Sequence, residues 1–210
     1  MRLAPAQSGV FLKITMNTEA FIHLVYEYRC LATAAYAWRI FGDPVRKGSH
    51  KDQANSLVPE IGTIIQDSLQ LHTRSLIDFY WPVNLRPTDI NISDFVAPDV
   101  SNYSELIELK KKIEVHTLHL TSWRDPQYRE GGGNDVQRPN WNEENGKVFG
   151  WLTAALKETS IKVPDAWATA LNSLYEASIE RFDKGPDYTW PKELGERTDI
   201  ESYLDKLGCS

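Results

Sequence analysis

Cysteine is scarce in this sequence: Cys30 and Cys209 are the two among 210 residues. Two thiols, one inside an apolar stretch and one beside the last residue, do not build a disulfide framework, so the expected home is a reducing cytoplasm. Long apolar runs are missing as well. No stretch approaches the roughly 20 residues a membrane span requires, and Met1 to Thr15 lacks the continuous apolar segment of an export signal. Basic residues are outnumbered, 23 Lys and Arg against 29 Asp and Glu, for a net charge of -6 and a pI near 5.4. That balance offers no broad positive surface, and nucleic acid is not the expected partner.

Catalytic signatures are equally sparse. Gly-x-Ser-x-Gly and the glycine-rich dinucleotide pattern are absent, which removes the usual nucleophile elbow and nucleotide folds. Gly131-Gly132-Gly133-Asn134 lacks the lysine and hydroxyl of a phosphate loop, and reads as the hinge or tip of a loop from Asp125 to Asn142. Glu-x-x-His pairs, which helical carboxylate di-metal proteins need, do not occur on the long helices. A helical ribonuclease arrangement asks for Arg and His with at least four residues between them. Arg46 and His50 come nearest, with three between them and in a loop.

What is present is a globular composition with many aromatic rings: seven Trp, nine Tyr and seven Phe, enough to pin helix against helix. Apolar residues recur at helical spacing almost throughout. The first long helix is expected from Thr18 to Gly42, with Phe21, Leu24, Val25, Tyr28, Leu31, Ala35 and Trp38 on its core stripe. Ala32, Ala34, Ala35 and Ala37 spread small side chains around it and invite close approach by a neighbour. Cys30, on this core-like helix, is expected to be inert.

A second helix is expected from about Asp52 to Trp81, interrupted near Pro59 and Gly62, with Pro59 in the opening turn of its longer piece. Its stripe runs Ile61, Ile65, Ser68, His72, Leu76, Phe79, which puts a histidine on the apolar side. A short helix from Thr88 and a third long helix from Tyr103 to Trp123 follow, the latter with His116 on its stripe. Lys110-Lys111-Lys112 is flanked by Glu105, Glu108 and Glu114 and reads as a solvated face with local ion pairs. Two further helices, Glu143 to Ser160 and Asp165 to Asp183, are separated by Pro164. The tail holds too much apolar surface to remain in water and should dock, with a short helix from Asp199.

The expected fold is therefore all-α: an irregular bundle of about five main helices with a docked C-terminal segment. Residues 1–15 read as an N-terminal extension, Met16 serving as a start as well as Met1, and 16–210 as a single helical domain.

The residues with chemical potential gather on the second and third helices. Arg74 and Asp78, four apart, face the same way and can pair. His116 and His119, three apart, can point into one inter-helix space, and with Asp78 they form a candidate set of metal ligands. The competing expectation is that each histidine donates a ring N–H to a carbonyl or carboxylate in a packed bundle.

The run Leu71-His72-Thr73-Arg74-Ser75-Leu76-Ile77-Asp78-Phe79-Tyr80, then Asp89 with Asp94-Phe95, then His116 to Arg124, resembles a group of small bacterial all-helical proteins that carry no transferable function. The resemblance covers about residues 66 to 125. It implies that Arg74, Asp78, His119 and Arg124 belong to one polar cluster, and these four are the candidate catalytic residues.

Two functions fit these features. The first is a cytoplasmic interaction or regulatory module, binding a protein partner or a second copy, whose buried His/Arg/Asp network sets helix register without any cofactor. The second is a metal-assisted hydrolase or nuclease using a divalent ion at Asp78, His116 and His119. If Arg74 and Asp78 are buried, removing either should cost on the order of 3 kcal/mol; if exposed, under ~1 kcal/mol.

Overall fold

The computed structural model describes residues 18–42, 58–82, 91–92, 104–114 and 141–209. The described residues form six α-helices and no strands, as the periodicity predicts. The helices are α1 (Thr18–Ala37), α2 (Val58–Tyr80), α3 (Ser104–Ile113), α4 (Trp141–Lys162), α5 (Asp165–Lys184) and α6 (Arg197–Leu207). Among them, no helix is long and apolar enough to cross a membrane. The expected extension at 1–15, most of the loop at 125–142, the short helix from Thr88 and the second half of helix three lie outside the described residues.

Helix α1 is the axis of the bundle. It opens at Thr18 with Glu19 in its first turn, where a carboxylate meets the positive end of the helix dipole. It closes through a π-helical turn at Trp38–Gly42. Its stripe residues Phe21, Leu24, Val25, Tyr28 and Leu31 are all buried, as are Ala32, Ala34 and Ala35. The small side chains let α1 pack extensively on both α2 and α5 while touching α4 and α6.

Helix α2 starts one residue before Pro59, whose missing N–H costs nothing in a first turn. Leu69, Leu76, Ile77, Phe79 and Tyr80 are buried in its second half. Tyr28 donates to the Leu152 carbonyl at 2.6 Å and accepts from Tyr80 at 2.8 Å. This chain of hydroxyls ties α1, α2 and α4 at the centre of the core, and burial pushes both phenols above their usual range.

Helices α4 and α5 are joined by Val163-Pro164 alone, as Pro164 predicts, although α4 begins at Trp141, inside the expected loop. Arg39 closes the other end of α5: it donates to the carbonyls of Phe182 (2.8 Å) and Asp183 (3.1 Å), groups a helix C-terminus leaves unpaired. The chain then turns at Gly185, where φ is +61° and a Cβ would lie 2.1 Å from the Tyr36 ring. Gly185→Ala should therefore cost about 1–3 kcal/mol, read from the shift of the urea unfolding midpoint.

The tail docks as expected. Leu194, Ile200 and Leu204 are buried, the Trp190 indole donates to the Leu194 carbonyl at 2.7 Å, and Arg197 pairs with Glu19 of α1. Helix α6 begins two residues before Asp199.

Candidate functional site

Two polar clusters line the faces where α2 meets its neighbours. The first contains Arg74 and Asp78. Arg74 Nε lies 3.6 Å from Asp78 Oδ2 and 3.4 Å from Glu114 Oε1, while Lys110 Nζ contacts Asp78 Oδ1 closely and stands 3.8 Å from Glu114. Two cations and two carboxylates thus close a neutral ring that bridges α2 and α3.

This corrects the expected burial of Arg74 and Asp78. The Arg74 and Asp78 side chains are 36% and 43% exposed, and their partners on α3 are Lys110 and Glu114. His116, His119 and Arg124 lie outside the described residues. Water screens the pair, so Arg74→Ala should lower stability by under ~1 kcal/mol in urea unfolding. The lysine run does not present one solvated face either. Lys111 pairs locally with exposed Glu108, Lys110 is 13% exposed against Asp78, and Lys112 crosses to Glu144 of α4 at 2.9 Å.

The second cluster joins α1 to α2 around His72. Tyr26, Glu27 and Cys30 stand three and four residues apart, so they share one edge of α1. His72 sits on the α2 stripe and is 7% exposed. Its Nδ1 lies 2.8 Å from Glu27 Oε2, which fixes the plane of the ring. Cys30, partly buried, shares that edge of α1 with Glu27. The Tyr26 ring meets the imidazole edge-on, with centroids 5.8 Å apart, and is itself 57% exposed.

The electrostatics follow from these contacts. Burial alone would lower the basicity of His72, yet hydrogen bonds to Cys30 and Glu27, together with their negative charge, raise its pKa from 6.5 to about 9. The ring is an imidazolium at neutral pH. Charge on the Cys30 sulfur and the hydrogen bond to it raise the Tyr26 phenol above its ordinary value, with burial and Glu27 adding to the effect.

Cys30 is partly buried rather than sealed in the core. Cys209 is buried, and burial raises its thiol pKa.

Of the expected site residues, the structure brings Arg74 and Asp78 together, and both Asp78 oxygens already face cations. Among the described residues, no group of three or more His, Cys, Asp or Glu side chains is arranged to hold a metal ion. Tyr26, Glu27 and Cys30 were not among the expected site residues. Their only signal in the sequence is the spacing that puts them beside one another at the margin of the α1 stripe. The donation of a ring N–H to a carboxylate, the expectation for the histidines, is what His72 and Glu27 provide.

The chain matches no protein-family model, no curated protein and no solved structure.

Proposed function

We propose that this chain is a regulatory helical module of the reducing cytoplasm whose working group is the Cys30 thiol. One observation carries the reading: partly buried Cys30 shares an edge of α1 with Glu27, whose carboxylate lies 2.8 Å from the Nδ1 of buried His72 across the α1/α2 seam. The seam location makes the chemistry consequential, because a group added to the sulfur displaces contacts that join α1 to α2.

Iodoacetamide labelling followed by peptide mass spectrometry tests the reading with an internal reference. At neutral pH Cys30 should be alkylated at least about tenfold faster than buried Cys209, and His72→Gln should remove most of that advantage. Equal rates at the two cysteines, or a Cys30 rate indifferent to His72→Gln in a folded variant, would contradict it.

A further inference from the structure

We propose that the segment from Pro186 to Cys209 is a strap that opens from the bundle as one unit, latched at its rim by the ion pair between Arg197 and Glu19. The strap is independent of the chemistry at Cys30 and follows from how the segment is built.

Local interactions hold α6 weakly. It has 11 residues, below the length at which an isolated helix becomes stable in water. The Glu196 side chain makes no capping hydrogen bond, and Arg197 sets a cation in the first turn, where the helix dipole favours an anion such as Asp199. The helicity of this segment therefore depends on docking, with Leu194, Ile200 and Leu204 as its buried anchors.

The backbone of the segment, by contrast, is satisfied from within. The N–H groups of Leu194, Gly195 and Ile200 donate to the carbonyls of Pro191, Lys192 and Glu196, and that of Cys209 donates to Leu204. The Trp190 indole closes on the Leu194 carbonyl in the same way. Polar links to the bundle come from side chains. Tyr203 shares a 2.8 Å hydrogen bond with Ser173 of α5, and Arg197 reaches Glu19 of α1 while its Nε stands 2.9 Å from Glu201. Opening thus leaves the hydrogen-bond ladders of the other helices whole.

The hinge is at Gly185-Pro186, where the chain leaves α5 with φ at +61°. Arg181 fixes that corner by donating to the Gly185 carbonyl at 2.7 Å. Because α6 packs chiefly on α1 and α5, an open strap uncovers that one side of the bundle, and its own three aliphatic anchors with it. A segment with few anchors, a satisfied backbone and one hinge is the kind that opens below the free energy of global unfolding.

Native-state hydrogen–deuterium exchange on the full chain, read by peptide mass spectrometry, tests the strap. Amides of residues 198–207 should share one opening constant, at least about tenfold larger than that of α2 and α4. Ile200→Ala should raise that constant by at least about thirtyfold and leave the α2 and α4 peptides unchanged. Exchange of strap and bundle together in the native chain, or an equal rise throughout the chain in Ile200→Ala, would overturn the separate unit. For the latch, Glu19→Gln and Arg197→Gln should each raise strap opening about two- to fivefold, and the double variant no more than the larger of the two. Single effects that multiply in the double variant, or no effect from either, would show that the pair does not hold the strap shut.

Discussion

Phe21→Ala is expected to lower the free energy of unfolding by about 3–5 kcal/mol, the largest effect of any single substitution considered for this chain. Phe21 is completely buried on α1, and its ring meets Trp167 of α5 edge-to-face, with centroids 5.8 Å apart and planes at 64°. Truncation removes the transfer energy of the ring and leaves a cavity that the surrounding helices fill only in part, and it also removes the aromatic pair. A domain of this size is stable by about 5–15 kcal/mol, so the variant should sit near the edge of folding at 25 °C. Urea unfolding followed by circular dichroism measures it, with Ile161→Ala as the exposed control that should shift stability by under about 0.5 kcal/mol. A loss below about 1 kcal/mol at Phe21 would mean that the α1/α5 contact is not part of the core.

The second large effect is a dependence of stability on pH that is traceable to His72. Its pKa is 6.5 when unfolded and about 9 in the fold, raised because the hydrogen bonds and charges of Cys30 and Glu27 outweigh burial. Because the folded state binds the proton more tightly, stability falls with rising pH wherever the fold still holds a proton that the unfolded state has lost. The contribution is therefore fully present below pH 6.5 and declines as pH rises through about 9. A shift of this size corresponds to at most about 3 kcal/mol.

Unfolding free energies at pH 6, 7.5 and 9 should fall with rising pH in the native chain and fall much less in His72→Leu. Cys209, whose thiol burial holds in its neutral form, adds its own loss at alkaline pH to both proteins. The difference between the two curves isolates His72. Parallel curves would show that the imidazole carries no bound proton in the fold.

The elements of this bundle were legible because each is specified by short-range physics. The apolar period of α1 predicts its buried face residue by residue, and Pro59, Pro164 and Gly185 fall at a helix start, a break and a helix end for reasons of backbone chemistry. The burial of His72 was legible too, since its place on the α2 stripe leaves it no route to water. The tail was expected to dock because Leu194, Ile200 and Leu204 would otherwise face solvent, and they are buried.

The partners of the polar groups were not legible. Arg74 and Asp78 were placed together correctly from their spacing, but their burial and their neighbours depended on how far α3 lies across α2, and the contacts come from Lys110 and Glu114. Lys110, Lys111 and Lys112 look alike in sequence, yet successive residues on a helix point about 100° apart and meet α2, solvent and α4 in turn.

By itself, then, the sequence determined that the described residues are helical, that Pro164 breaks one helix from the next, and which residues of the first helix face the core. These follow from hydrogen bonding and side-chain periodicity within some twenty residues. Only the tertiary structure decided that Glu27 meets His72, 45 positions further along the chain, because the rotation and register of α1 on α2 are set by the fit of many core side chains at once. Hydrophobic burial fixes which face turns inward but not which residue on the rim stands opposite which. At this rim, packing puts the Glu27 carboxylate against the His72 ring.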